Sequence, residues 1–426
     1  MMLMQVTELH RCRLCGAEGL ETVLDLGIQG LPKWPEFREE PVPRAPLEFC
    51  FCPSCTLGQL RHSIDREKLF REYWYRTGVN ATMRGHMAGI VTAARKEAQF
   101  CDSDYVVDIG CNDGTLLRSY DHPGHHLIGF EPSNLCPPRE EGGIVWVNDF
   151  FHPDLLPGGV RAKVVTTLSM FYYLDDPVAF AEQIKSILRE DGVWICEMNY
   201  ALRMVKDTTF DHISHEHVTT WSAATFSRVV GAIGLEIFRI EENDLNGGSI
   251  RFWMGFPGVR RVEPSVGETL AAESDSLSSE GYHAFAESVR RISNELREMV
   301  GGFKRRGKRV MCYGASTRGL TILGTAGIGS DLIEAAVERN EEKVGRFYGA
   351  TGIPIISEAA MREDPPDALL ILPYSFTREF IERESEFLRK GGVFIVPVPT
   401  PRLVEFQGTL ALGHSQAEGT GKGVRG

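Results

Sequence analysis

The sequence predicts an α/β protein: two Rossmann-like units behind an N-terminal zinc module. Three observations carry that prediction. Short apolar runs alternate with helical segments twice, across residues 104–255 and again across 305–408, the rhythm of βαβ units on a largely parallel sheet. Both series open on an apolar strand that ends in a glycine-containing turn before a helix, DIGCNDGTLL at 108–117 and YGASTRGLTIL at 313–323. Two CxxC pairs, Cys12/Cys15 and Cys52/Cys55, precede them.

Size and composition bound the answer. At 426 residues the chain exceeds one ordinary core, and two or three domains are expected. Its 42% hydrophobic and 24% charged residues are a soluble globular balance. No apolar run approaches the roughly 18–20 residues that cross a bilayer, so no membrane partner is expected. The start, MMLMQVTELHRCRLCG, lacks the basic, apolar and cleavage segments of an export signal, which points to a cytoplasmic protein. A net charge of −12 argues against a nucleic-acid partner.

The elements follow in order. Residues 1–65 form the zinc module. Two CxxC turns far apart in sequence bring four thiolates to one tetrahedral zinc, and four thiolates leave no open position, so the metal is structural. Cys50 is an extra thiol able to compete as a ligand; the alternative reading is four buried or disulfide-linked cysteines. Residues 66–265 form the first Rossmann-like domain, entered through LFREYWYRTGVNATMRGHMAGIVTAARKEAQF, an aromatic loop leading into a helix. Its strands are read at YVVDIG, HLIGFEP, KVVTTLSM, VWICEMN and SIRFWMGF. Residues 266–304 supply one or two amphipathic linking helices. A smaller Rossmann-like domain occupies 305–408, and the tail 409–426 has too little to bury to be ordered.

The stretch VVDIGCNDGTLLRSY is the most informative. Gly110 and Gly114 allow close approach of backbone to a ligand at the strand's C-terminal edge. A phosphate loop is disfavoured: GxxxxGK[ST] and GxGxxG are absent, and Asp108 and Asp113 would repel pyrophosphate. Glu131, ending the next strand, stands where ribose hydroxyls are accepted, and Asp149 stands where an adenine amino group could be met. Asp108, Gly110, Asn112, Asp113, Gly114, Glu131 and Asp149 thus suit S-adenosylmethionine, whose sulfonium and ammonium are cationic and whose ribose carries no phosphate. The plain alternative is a glycine-rich helix start with incidental acids.

A third feature is TFDHISHEHVTTWS, with His212, His215 and His217 beside Asp211 and Glu216. Extended, the run puts His215 and His217 on one face and Glu216 on the other. A facial iron site or part of a zinc site needs ligands from elsewhere, and HEH lacks the HExxH spacing. An inert histidine loop is the remaining reading. Asn246-Gly247-Gly248-Ser249 reads equally as a hairpin turn or a place of close substrate approach.

In the order RCRLCG, CPSC, TGVNATMRGH, DIGCNDGTLL, GFEPS, CEMNY, FDHISHEH, NGGSIRF, YGASTRG, ERNEEKVGR and FLRKGGVFIVPVP, the chain resembles the zinc-containing sugar C-methyltransferases of deoxysugar and antibiotic biosynthesis, to about residue 400. The resemblance implies methyl transfer from S-adenosylmethionine to a ring carbon α to the ketone of a nucleotide-linked 4-keto-deoxysugar, with dTDP as the nucleotide. It implies a C-terminal domain that helps bind that nucleotide sugar, and the expected assembly is a monomer or weak dimer. Such chemistry needs a base to remove the proton, a donor for the enolate oxygen, and exact alignment with the methyl group. By resemblance His217 is the base, Glu216 orients or polarises, and His215 supports. Tyr173 stands where the family often has histidine and Ser214 where it usually has tyrosine; Tyr73, Tyr75 or Tyr173 could supply the enolate donor. Arg318, where the family commonly has lysine, and Arg346 are candidate phosphate or ribose contacts, as are Arg339, Asn340, Lys343 and Tyr374. Solvated charges on a structural domain are the alternative there. The competing functions are methylation of another carbon or an oxygen on the same scaffold, and a non-catalytic cofactor or nucleotide-sugar binder.

Overall fold

The computed structural model describes residues 2–101, 103–120, 126–139, 141–273 and 276–406. The tail expected to be disordered lies outside them.

The central domain is a seven-stranded sheet in the spatial order Glu236–Asn243, Ser249–Gly255, Leu188–Asn199, Ala162–Leu168, Tyr105–Ile109, His126–Phe130, Val145–Val147. The last five are parallel; Ser249–Gly255 runs antiparallel beside Leu188–Asn199 and forms a hairpin with Glu236–Asn243. The chain leaves Tyr105–Ile109 toward one edge and returns on its other side at Ala162–Leu168. The strand end at Ile109 is therefore a topological switch point, where open α/β sheets place their ligands. Ala162–Leu168 is buried along its whole length, as a strand covered on both faces must be. Against the sheet, Phe171, Trp194, Trp221 and Phe226 pack with ring centroids 5.1–5.9 Å apart. Truncating one such ring, as in Phe226→Ala, costs about 3–5 kcal/mol.

The C-terminal domain repeats the plan. Its seven strands lie in the order Phe347–Tyr348, Ile353–Ser357, Ala336–Glu338, Val310–Tyr313, Ala368–Ile371, Val393–Val396, Arg402–Val404, with antiparallel strands only at the two edges. Its first strand–turn–helix unit, Val310–Tyr313 into Thr317–Thr325, faces the central domain.

Two helices, Pro264–Glu273 and Ser279–Arg305, link the domains. The longer starts at the N-cap Ser278, whose hydroxyl accepts from the Gly281 amide. Tyr282, Phe285, Val289, Ile292, Leu296, Val300 and Phe303 recur at helical spacing and are buried. Tyr282 packs on Phe49 and Phe51 of the N-terminal module, so this helix also holds that module in place.

The N-terminal module contains more sheet than its short apolar runs imply. Glu21–Gly30 and Pro43–Phe51 are long antiparallel strands, joined by Gly58–Leu60 and by Met2–Leu3. A fifth strand comes from far away: Thr219–Thr220, just past the histidine run, pairs with Gly58–Gln59. The module is thus discontinuous in sequence. A motif scan misses this strand because two residues carry no alternation to read.

Candidate active site

A cavity of about 470 Å³ lies between the central and C-terminal domains, with Trp34 of the N-terminal module and Phe70, just past it, in its wall. Its floor is the switch-point loop. Gly110 adopts φ 75° and Gly114 φ 78°, and a Cβ on Gly114 would lie 2.3 Å from the Trp146 ring, so glycine is required there. Each oxygen of Glu131 accepts one backbone amide, from Ser133 at 3.0 Å and from Asn112 at 2.8 Å. Each keeps lone-pair capacity beside the cavity, a disposition suited to ribose hydroxyls. Asp149 accepts from Arg71 at 3.1 Å and from the Phe150 amide, and half its side chain remains exposed at the cavity edge.

Three of the expected cofactor residues act differently. Asp108 lines the cavity but is buried and accepts from the Thr166 hydroxyl at 2.6 Å, bracing two strands, and burial pushes its carboxyl up to about 7. Asn112 accepts from the Thr77 amide at 3.0 Å and donates to the Tyr75 carbonyl at 2.8 Å. Asp113 accepts from the Gly78 amide at 2.8 Å and from the Thr115 hydroxyl at 2.6 Å. The side chains of Asn112 and Asp113 therefore clamp the aromatic loop over the floor.

That loop brings Tyr73 to the cavity wall beside Tyr173. Its hydroxyl lies 3.0 Å from the Tyr173 hydroxyl, and Tyr173 packs on Phe70 at 4.7 Å between ring centroids. Tyr75 is 47% exposed at the rim. His217 stands against these phenols, 4.3 Å from the Tyr172 ring and 5.6 Å from the Tyr173 ring. Its Nδ1 donates to the His212 carbonyl at 2.7 Å, which leaves Nε2 as the unprotonated nitrogen. Burial first, and the Arg318 charge as well, lower His217 to about 3, so it is neutral throughout the physiological range. Glu216 is 4% exposed, lines the cavity and has no hydrogen-bond partner among the described residues. Burial alone raises it to about 8, making it a protonated acid at neutral pH.

The rest of the run is turned away. His215 donates from Nε2 to the Ala45 carbonyl at 3.1 Å, and burial lowers it to about 4. It fastens the run to the N-terminal module and is absent from the cavity wall. Ser214 is buried off the wall too, its hydroxyl without a partner among the described residues, so it does not reach a substrate in this arrangement.

Arg318 and Arg346 are not free phosphate ligands. Arg318 donates from Nε to Asp211 at 2.7 Å and from Nη1 to the Asn246 carbonyl at 2.6 Å. It also donates to the Tyr374 hydroxyl at 2.9 Å and to His212 Nε2 at 3.2 Å. Arg346 lies off the wall, pairing with Glu36 at 3.0 Å, donating to the Trp34 carbonyl and covering the Trp74 ring. Arg318 shares the wall with five other cationic groups, Arg66, Arg76, Arg339, Lys343 and Arg383, of which Lys343 lies 4.0 Å above the Trp34 ring. Glu338 repeats the Glu131 pattern in the second domain, accepting from the Ala315, Arg339 and Asn340 amides. The sequence reading passed over Tyr172 and Trp34, and it named Asp211 without giving it a role. Asp211 alone left a signal, as the acid opening the histidine run.

The metal centre fits its ligand set. Cys12, Cys15, Cys52 and Cys55 place their sulfurs within 4.8 Å of one another, with Cys12–Cys55 at 3.5 Å and Cys15–Cys52 at 3.6 Å. Zn–S bonds of about 2.3 Å in a tetrahedron require S···S edges of about 3.8 Å. Cys50 turns instead to Glu48 at 3.8 Å. Between the cysteines, Arg13 donates to Asp175 at 3.0 Å, two residues past Tyr173.

Three family models match consecutive parts of the chain: "Putative zinc binding domain" over residues 12–70, "Methyltransferase domain" over 80–240 and "C-methyltransferase C-terminal domain" over 244–399. C-methyltransferase NovU of Streptomyces niveus is 29% identical over 416 residues, spanning 95% of this chain and 99% of its own. Among solved structures, the plantazolicin methyltransferase BpumL, in complex with a pentazolic desmethylPZN analog and SAH, aligns at 11% identity and TM-score 0.34 over 42% of this chain and 86% of its own. A S-adenosylmethionine-dependent methyltransferase from Clostridium acetobutylicum ATCC 824 aligns at 11% identity and TM-score 0.31, over 40% of this chain and 91% of its own.

Proposed function

We propose, from the premise that the chain belongs to the zinc-containing, S-adenosylmethionine-dependent C-methyltransferases, that its acceptor is a nucleotide-linked 4-keto-deoxysugar methylated at the ring carbon α to the ketone. The observation that carries this reading is the pairing, on one cavity wall, of a neutral His217 with Nε2 unprotonated and a protonated Glu216 beside the Tyr73–Tyr173 hydroxyl pair. Carbon next to a ketone needs that combination: a base for the proton and acidic hydrogen-bond donors for the oxygen that becomes an enolate. Methylation of a hydroxyl needs only the base.

Bound S-adenosylmethionine supplies an electrophilic methyl on a sulfonium. Glu131 would hold its ribose, Asp149 its adenine amino group, and the Gly110–Gly114 turn would lie against it. His217 Nε2 takes the α proton, and the His212 carbonyl then stabilises the imidazolium through Nδ1. Glu216 or the tyrosine pair donates to the enolate oxygen. The acceptor's diphosphate brings negative charge into the same cavity, which raises the proton affinity of His217 when it is needed. Ser316, Arg339 and Lys343 line the C-terminal side, where a dTDP group would sit.

The test is incubation with methyl-labelled S-adenosylmethionine and a panel of dTDP- and UDP-linked 4-ketosugars, the product read by mass and carbon NMR. A new methyl on a ring carbon is the expected result. Methyl on oxygen only, or no transfer to any ketosugar, would sink the reading.

A further inference from the structure

Arg318 belongs to the first turn of the C-terminal domain's helix Thr317–Thr325, yet all its partners but Tyr374 are in the central domain. Its Nε and one terminal nitrogen hold Asp211, a carboxylate only 1% exposed, at 2.7 and 2.6 Å. The same terminal nitrogen donates to His212 Nε2 at 3.2 Å, and Tyr374 completes the ring by donating to Asp211 at 2.7 Å. From His212 the next bond leads to His217, whose Nδ1 donates to the His212 carbonyl. Thr321, one helical turn past Arg318, donates to the Ile213 carbonyl at 3.0 Å. The loop carrying the base is therefore held at three consecutive residues, Asp211, His212 and Ile213, by one helix of the other domain.

We infer that Arg318 is a positioning residue for His217: its guanidinium fixes the 211–217 loop so that Nε2 faces the acceptor, which makes proton abstraction depend on the docking of the two Rossmann-like domains. This rests on the reading of His217 as the base. The fork matters as well as the charge. Four acceptors in different directions match the spread donors of a guanidinium, whereas an ammonium offers three donors from one point. Arg318 thus leaves phosphate binding to other cations and takes up a structural task at the reacting end.

The groups facing His217 are His212 and Glu216 on its own loop, Tyr172 and Tyr173 from the central strand end, Tyr73 from the aromatic loop, and Arg318 from the C-terminal domain. Of these, only Arg318 carries positive charge at neutral pH.

The full chain, labelled with 15N at its histidine rings, tests this by NMR, with His217→Asn used to assign the His217 signals. In the parent protein His217 is expected as the Nδ1–H tautomer. Arg318→Met, checked for folding by circular dichroism, should raise its protonation midpoint by about one unit, as removal of a nearby cation does, and mix its tautomers. Arg318→Lys should keep the midpoint near the parent value while turnover on the ketosugar that responds in the panel above falls about 10–100-fold at unchanged KM for S-adenosylmethionine, the cost of a small misplacement. A folded Arg318→Met protein with the parent tautomer and midpoint overturns the inference. If that variant does not fold, an Arg318→Lys protein with parent tautomer and turnover overturns it. A panel that yields no methylated ketosugar, with His217 still responding to Arg318→Met, defeats the acceptor assignment and leaves the Arg318–His217 linkage standing.

Discussion

His217 Nδ1 donates to the carbonyl of His212 at 2.7 Å, a bond closed within one loop. It fixes which ring nitrogen carries the proton, and so which one can accept another. His217→Asn removes the proposed base, and turnover should fall about 10²–10⁴-fold. Binding of S-adenosylhomocysteine, measured by calorimetry, should stay within about twofold, because the Glu131 end of the cavity is untouched. Parent turnover in the variant would remove His217 from the mechanism.

Glu216 makes stability depend on pH in a defined direction. Burial lifts it to about 8 in the native state, against about 4.3 in the unfolded chain. Between those values the native state holds a proton that the unfolded chain has released, so stability falls as pH rises through the window. Glu216→Gln cannot release that proton. Melting temperatures of variant and parent should therefore diverge from pH 5 to pH 8, with the variant ahead at the upper end; parallel curves would show that Glu216 ionises normally.

His217 contributes with the opposite slope. His217 is lowered to about 3 when folded, against about 6.5 unfolded. Below about pH 6.5 the unfolded chain gains a proton that the native state refuses, so this contribution is lost as pH falls toward 3. His217→Asn should flatten the acid side of the melting curve, an effect that denaturant titrations at pH 4.5 and 7 will detect. Equal pH sensitivity in variant and parent would contradict the burial of this ring.

Metal analysis should find about one zinc per folded chain. Cys55→Ser should lose it, with a lower melting temperature. The His215–Ala45 bond and the Thr219–Thr220 strand tie that module to the base loop, so the damage should spread. Hydrogen exchange at the Leu60 amide, which donates to the Val218 carbonyl at 2.9 Å, should quicken. Full zinc loss with unchanged protection at Leu60 would mean that the two regions are uncoupled.

Glu131 meets two backbone amides as an acceptor on both oxygens. Glu131→Gln turns a donor group toward one of them, leaving an amide unpaired. S-adenosylhomocysteine affinity should drop about tenfold or more, a loss of at least about 1.4 kcal/mol; calorimetry showing undiminished affinity would exclude Glu131 from the ribose site.

The two sheets and their switch-point turns were legible because strand periodicity and glycine turns are local signals. Gly110, Gly114 and the strand end at Glu131 were found that way. The four cysteines were legible for the same reason, since spacing alone aims the sulfurs. What remained hidden is set by tertiary contacts. Nothing near Arg318 in sequence indicates that Asp211, 107 residues earlier, will occupy its guanidinium. Nor do Asn112 and Asp113 signal that their side chains will accept from the Thr77 and Gly78 amides. Charged and amide side chains in a turn look available until the partner that folds against them is known.

The borrowed strand Thr219–Thr220 also bears on synthesis. The Gly58–Gln59 edge leaves the ribosome about 160 residues before its partner. At about 5–20 residues per second, that edge waits roughly ten to thirty seconds with its ladder groups unpaired. During translation the nascent N-terminal segment is therefore an open template for other strands, and heterologous expression should favour slow growth, low temperature and ample zinc.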